Sequence, residues 1–209
     1  MSKGVAIVFT KAPEAGKVKT RLIPGIGSNR ATNIYKQLLK KTIHTVRKSD
    51  LSEIHLYVDG NINHSFFREI RRRHPVRLYQ QQGNDLGQRM FRTFHKVLKK
   101  YSYAVLIGSD CPGLSTADLN QAKESLAQGM DIVLGPANDG GYYLIGLSKN
   151  DVRLFNKIRW GGSTVFDDTM SRVERLGWQY SILAQHWDLD RTADLLAYIK
   201  LKNTGAAIY

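Results

Sequence analysis

Four cations fall within eleven residues at Lys11, Lys17, Lys19 and Arg21, inside the segment Thr10–Leu22 (TKAPEAGKVKTRL). The segment follows an apolar run, Val5–Phe9, and carries Pro13 and Gly16, so it reads as a loop and not as a continuing element. Such a loop holds an anion in two ways. Its backbone N–H groups, open to close approach at Gly16, cradle phosphate oxygens. Its side chains add charge, Arg21 as a bidentate fork and the lysines as point charges. The pattern is not a Walker loop, which needs glycine at Lys11 and Ser or Thr at Val18, and it is not a GxGxxG fingerprint. The alternative is an ordinary exposed basic loop.

Carboxylates supply the complementary chemistry. Asp110 closes the run Ile107–Leu114 (IGSDCPGL). At the end of a strand it either caps the turn or holds a hard cation, magnesium or manganese, which prefers oxygen ligands. Asp188 and Asp190 in Trp187–Leu195 (WDLDRTADL) fall on one side of an extended segment, because side chains alternate there. One of them meeting Asp110 completes a metal site and leaves positions for phosphate oxygens and water. Asp190 can instead cap the last helix. In Gly135–Gly146 (GPANDGGYYLIG), Asp139 and Gly140 form a hairpin-type turn signal that also leaves room for a ligand against the backbone. In Gln80–Met90 (QQQGNDLGQRM), Gly83 and Gly87 offer a nucleobase a bare stretch of backbone. Cys111 reads as a small buried filler, the six histidines have no metal-ligand spacing, and no Ser/His/Asp set is legible.

The elements that must position these groups alternate. Strands are expected at Val5–Phe9, Ile54–Val58, Val76–Tyr79, Ala104–Gly108, Ile132–Gly135, Tyr142–Leu147 and Tyr180–Ala184, from short continuous apolar runs. Helices are expected over 29–47, 64–73, 86–100, 116–128, 163–176 and 192–201, with Ser28 or Asn29 capping the first and Thr116 the fourth. Continuous apolar strands separated by helices imply a mostly parallel sheet covered on both faces. Ligands of such sheets bind beyond the C-terminal ends of the strands, which is where the polar motifs lie.

Composition sets the frame. The chain has 209 residues, 42% of them hydrophobic, enough for one compact α/β domain. A single cysteine excludes an internal disulfide and fits the cytoplasm. No apolar stretch reaches the roughly 20 residues that span a bilayer, and the N-terminal run reads as a strand, not a signal peptide. The net charge of +13 is uneven: residues 1–100 carry 21 Lys+Arg against 6 Asp+Glu, and the remainder 10 against 12. A basic half and a carboxylate-bearing half suit an anionic ligand held through a metal ion, against a background of solvated helix faces. Arg71, Arg72 and Arg73 lack the aromatic interleaving of a nucleic-acid surface, which argues against nucleic acid as partner. An oligomer is left open.

The five ordered motifs KAPEAGKVKTRL, QGNDLGQRM, IGSDCPGL, GPANDGGYYLIG and DLDRTADL together resemble a bacterial family of the glycosyltransferase-A, or nucleotide-diphospho-sugar transferase, superfamily, often labelled arsenosugar-type glycosyltransferases. The family is similar to 2-phospho-L-lactate guanylyltransferase and, more distantly, to molybdenum-cofactor nucleotidyltransferases. The resemblance implies one domain over 1–209 with a three-layer α/β/α, Rossmann-like sheet and a nucleotide site over its N-terminal half. It implies a metal-binding role for Asp110, matches Asp190 to the acid that opens a DTPEDL-like motif, and places Lys17, Lys19 and Arg21 in the basic loop. The chain departs from the Asp-x-Asp metal motif of typical glycosyltransferases, reading Ser109-Asp110-Cys111, and has Arg191-Thr192-Ala193 where relatives often have Thr-Pro-Glu. The expected activity is magnesium-dependent nucleotidyl transfer from a nucleoside triphosphate to a small anionic acceptor, with Lys17, Asp110 and Asp190 at its centre. Glycosyl transfer from a nucleotide sugar is the alternative, and a non-catalytic nucleotide-binding protein is a third.

Overall fold

The computed structural model describes residues 3–51 and 53–204, with side chains to residue 200. The domain expected over 1–209 therefore extends at residues 1, 2, 52 and 205–209 outside the described residues. Seven strands form one sheet: β1 (Gly4–Lys11), β2 (Ile54–Asp59), β3 (Val76–Gln80), β4 (Tyr103–Ile107), β5 (Ile132–Pro136), β6 (Tyr142–Leu147) and β7 (Tyr180–Ile182). Their order is β3-β2-β1-β4-β6-β5-β7. All neighbours are parallel except β6, which runs antiparallel to both β4 and β5. The loops after β1, β2, β3, β4, β5 and β7 thus gather on one edge of the sheet.

Seven helices accompany the strands: α1 (Ile23–Ile26), α2 (Ser28–Lys48), α3 (Ser65–Arg73), α4 (Leu86–Val97), α5 (Thr116–Ala127), α6 (Val165–Leu176) and α7 (Thr192–Thr204). Alternate strand residues point to opposite faces, and each face has its own core. Ala6 and Val8 of β1 pack with Leu39 and Ile43 of α2, Phe67 of α3 and Leu119 of α5. Val5 and Ile7 pack with Met90 and Phe94 of α4 and Val173 of α6. This is the three-layer α/β/α architecture. A smaller cluster of Leu22, Ala31, Leu38, Leu189 and Leu195 ties the loop after β1 to the C-terminal segment. Among the described residues no helix is long and apolar enough to cross a membrane.

Local chemistry corrects several boundaries. The start of α2 is capped by neither Ser28 nor Asn29: Gly27 precedes it at φ 78 and ψ 159, a conformation open to glycine, and no side chain caps there. Ser115, not Thr116, caps α5, in a capping box with Asp118. α4 stops at Val97 instead of 100, α6 starts at Val165 instead of 163, and β7 ends at Ile182 instead of 184. β1 runs on to Lys11, so the first cation of the basic segment sits on the strand end.

Candidate functional site

A cleft of about 500 Å³ opens at the C-terminal edge of the sheet. The basic loop forms one wall, through Lys11, Lys17, Lys19 and Arg21. Gly108, Ser109 and Asp110 after β4 and Asp190 after β7 form the base, and Asp59, Gln81, Leu86 and Arg89 the far side. The strand-end placement of the motifs brings them together from positions up to about 170 residues apart, as the Lys19–Asp190 pairing illustrates.

Lys19 is the centre of the polar cluster. Its backbone is left-handed, φ 48 and ψ 42, a rare state for a residue with a side chain. That turn drives the side chain inward, where it is only 2% exposed. The ammonium donates to the Leu189 carbonyl and lies 2.9 Å from Asp110 Oδ1 and 3.5 Å from Asp190 Oδ1. The contact to Asp110 is an ion pair without an aligned hydrogen bond, since Asp110 Oδ1 is buried and accepts none. Arg21, 62% exposed, reaches the other oxygen of Asp190 at 2.5 Å. The carboxylate of Asp190 is turned to Lys19 and Arg21, while Asp194, in the first turn of α7, accepts from the N–H groups of Asp190 and Arg191 that lead into the helix. Lys17 lines the cleft but is exposed, and it pairs with Glu14 at 2.6 Å, whose carboxylate raises the ammonium above its usual range.

Asp188 is not among the cleft-lining residues. Burial, with the charges of Asp110, Asp139 and Asp190 added, pushes its carboxyl up to about 7, and Lys19 opposes the shift. Asp188 therefore feels three other acids against one ammonium. Among the described residues no group of three His, Cys, Asp or Glu is arranged to hold a metal. Of the two acids expected to meet Asp110, Asp190 lines the cleft with it and Asp188 does not, and Lys19 stands between Asp110 and Asp190. The donors nevertheless suit magnesium or manganese: magnesium commonly takes one or two carboxylates and completes its shell with substrate phosphates and water. Asp110 and Asp190 supply those two carboxylates, and Asp110 Oδ1 has bonding capacity in hand.

The glycines and Asp139 stand apart from the cleft. A Cβ on Gly87 would come within 2.6 Å of Trp160 Nε1 and 2.8 Å of the Phe155 carbonyl, so its bareness serves helix packing. One on Gly83 would meet Arg89 N at 2.8 Å. Gly140 has φ +85, and a Cβ there would overlap the Ser163 carbonyl. Asp139 accepts from the Gly141 N–H at 2.9 Å and shapes the turn. None of these four lines the cleft; close backbone packing and turn geometry account for them. Cys111 is buried, and its thiol is pushed up to about 12 by burial and by Asp188, which leaves it a filler.

Sequence reasoning missed Tyr35, Asp59, Gln81, Leu86 and Arg89. Tyr35 looks like another apolar-face residue of α2, yet its hydroxyl accepts from the Lys11 N–H at 2.6 Å and bonds Thr10 Oγ1 at 2.7 Å. It pins the end of β1, where the basic loop begins. Gln81 donates to the carbonyls of Thr10 and Tyr57, joining the ends of β1 and β2. Asp59 and Arg89 pair at 2.9 Å. The signal for Asp59 was available: like Asp110, it is an acid that follows an apolar strand.

Residues 42–162 match a bacterial protein family described as uncharacterized proteins conserved in bacteria, DUF2064. The chain belongs to that family. No curated protein matches the sequence. Among solved structures, a presumptive nucleotide-diphospho-sugar transferase from Desulfovibrio desulfuricans G20 is 31% identical, with a TM-score of 0.86 over 98% of this chain and 90% of that one. CMP:2-keto-3-deoxy-manno-octonic acid synthetase, solved with CTP, is 8% identical with a TM-score of 0.64, over 98% of this chain and all of that one. Rv0371c from Mycobacterium tuberculosis H37Rv, solved with manganese, is 16% identical with a TM-score of 0.53, over 95% of this chain and 99% of that one. The distant pair shares the fold. The chain has the nucleotide-diphospho-sugar transferase fold, and its structural neighbours include transferases.

Proposed function

We propose that the chain, as one unit over 1–209, is a metal-assisted nucleotidyltransferase that joins a nucleoside monophosphate to a small anionic acceptor. The observation that carries this reading is the convergence of Lys19 and Arg21 with Asp110 and Asp190 in one cleft at the C-terminal edge of the sheet. Lys11, Lys17, Lys19 and Arg21 bind the phosphate chain, and the far side at Gln81, Leu86 and Arg89 receives the nucleoside. An acceptor oxygen attacks the α-phosphorus; the new P–O bond forms as the bond to the bridging oxygen breaks, and its electron pair leaves with pyrophosphate. A phosphomonoester acceptor is already anionic, so no protein nucleophile is needed, and catalysis rests on positioning and charge. Asp110 and Asp190 would hold magnesium or manganese, which would neutralise the phosphate oxygens. Arg21 stays exposed, placed to meet the departing pyrophosphate.

The 31% identity to a presumptive nucleotide-diphospho-sugar transferase favours a second reading, glycosyl transfer from a nucleotide sugar. One assay separates the two. The protein is incubated with magnesium and a panel of phosphorylated acceptors, with ATP, CTP, GTP and UTP in one set and nucleotide sugars in the other. Pyrophosphate release in the first set is expected. Nucleoside diphosphate from a nucleotide sugar, with no pyrophosphate from any triphosphate, overturns the lead and promotes the second reading.

A further inference from the structure

We propose that Lys19 is a tethered cation that keeps the Asp110–Asp190 pair closed to divalent metal until a triphosphate draws its ammonium away, so that metal and nucleotide enter together. The inference rests on the reading of Asp110 and Asp190 as the metal platform, and adds a binding order to it.

The geometry makes the two cations compete for the same two oxygens. Lys19 Nζ lies 2.9 Å from Asp110 Oδ1 and 3.5 Å from Asp190 Oδ1. A magnesium ion on the same two oxygens sits about 2.0–2.1 Å from each, in the space the ammonium fills. Two positive charges that close repel strongly in a water-poor site. The arrangement is also built, not incidental. The side chain is 2% exposed, it is anchored on the Leu189 carbonyl, and its backbone is held left-handed with its carbonyl accepting from the Leu22 N–H at 2.9 Å. The grip on Asp110 is Coulombic only, because Asp110 Oδ1 accepts no aligned hydrogen bond. A lysine suits such a role, being a point charge on a flexible stem that can follow a phosphate. Arg21 holds the opposite oxygen of Asp190 from the solvent side and need not move. Without Lys19, the acids at positions 110, 188 and 190 lose their shared counter-charge, and a divalent ion becomes the natural replacement.

The test is manganese binding to nucleotide-free protein, read as loss of the free Mn²⁺ paramagnetic resonance signal. Wild type is expected to bind Mn²⁺ weakly alone and at least tenfold more tightly with a mixture of ATP, CTP, GTP and UTP, after subtraction of the signal lost to the same nucleotides without protein. Lys19→Gln is expected to bind Mn²⁺ at least tenfold more tightly than wild type without nucleotide, and Lys19→Arg to behave like wild type. Adding Asp110→Asn to Lys19→Gln is expected to erase the gain. Wild type binding Mn²⁺ as tightly as Lys19→Gln overturns the inference and leaves the metal platform standing. No binding by any variant, with or without nucleotides, removes the platform and the inference with it. If Lys19→Gln does not fold, reductive methylation of wild type, read by mass spectrometry, decides. Lys19 is expected to resist labelling in metal-free protein and to become reactive at saturating Mn²⁺, and unchanged labelling overturns the inference.

Discussion

Asp110 and Asp118 flank the same turn after β4, and each meets a basic side chain at nearly the same distance. Asp110 lies 2.9 Å from Lys19 and Asp118 lies 3.0 Å from His186. The resemblance ends there. Asp118 Oδ2 also accepts from the Ser115 N–H and hydroxyl, closing the capping box of α5, and both partners of the pair are buried. Burial works against its charge, but the bonds from His186 and Ser115 win and hold Asp118 below the usual carboxylate range. Asp110 faces a cleft, shares its cation with Asp190, and keeps a buried oxygen with no aligned hydrogen bond. The length of such a contact says little about its work. What separates the two is how the buried oxygen is used: Asp118 Oδ2 is hydrogen-bonded to Ser115 and His186 and holds the fold, whereas Asp110 Oδ1 meets only a cation and is open to exchange for a ligand.

The largest expected effect tests the hydrogen-bonded half. Asp118→Ala strips the capping box and leaves the Ser115 and His186 groups unpaired, and breaking such a buried pair costs about 3–5 kcal/mol. Urea unfolding should show the loss, while any nucleotide binding by the folded fraction should be unchanged. A stable variant that has lost nucleotide binding would erase the contrast.

On the cleft side, Arg21→Ala should weaken triphosphate binding by about 1.5–3 kcal/mol, the value of a charge-assisted hydrogen bond, and leave nucleoside binding alone. Calorimetric titration with triphosphate and nucleoside checks this, and equal losses for both ligands would place Arg21 in the scaffold. Asp188 gives a pH test. Its folded pKa of about 7 lies above the ordinary value of 3.8, so the native state binds the extra proton between those limits. Stability should then fall as pH rises from about 4 to 7 and level off above. Asp188→Asn should remove that slope, giving up to about 4 kcal/mol more stability at pH 8 and little difference at pH 4, in metal-free buffer. Asp118 acts in the opposite sense, its depressed pKa giving stability that is lost as pH falls below the usual carboxylate range. Parallel pH–stability curves for wild type and Asp188→Asn would show that the acid cluster is not strained.

Lys17→Ala should have the smallest effect. Its ammonium is 74% exposed and already paired with Glu14, so a change in triphosphate affinity of less than about 1 kcal/mol is expected. A loss as large as that of Arg21→Ala would move the phosphate site toward the outer part of the loop.

Periodicity and punctuation belong to the chain itself. Continuous apolar runs such as Val5–Phe9 and Ala104–Ile107 specify strands buried on both faces, and the spacing of Met90, Phe94 and Val97 specifies a helix with one apolar side. Those signals act within a few residues, so they are legible locally, and with the rule that ligands bind beyond parallel strand ends they point to the segments after β1 and β4. Partner choice is another matter. Residue type alone does not turn Lys19 inward while Lys17 and Arg21 stay exposed; its own left-handed backbone and a carbonyl 170 residues away do. Nothing local separates Asp188 from Asp190, which share one face of an extended stretch but end in different surroundings, one outside the cleft and one on it. Gly87 looked like room for a ligand until Trp160 filled it, and Tyr35 looked like core until its hydroxyl met the end of β1. Secondary structure follows from neighbours along the chain, whereas burial and charge pairing depend on which distant segments the sheet brings to the same edge, and only the folded molecule sets that.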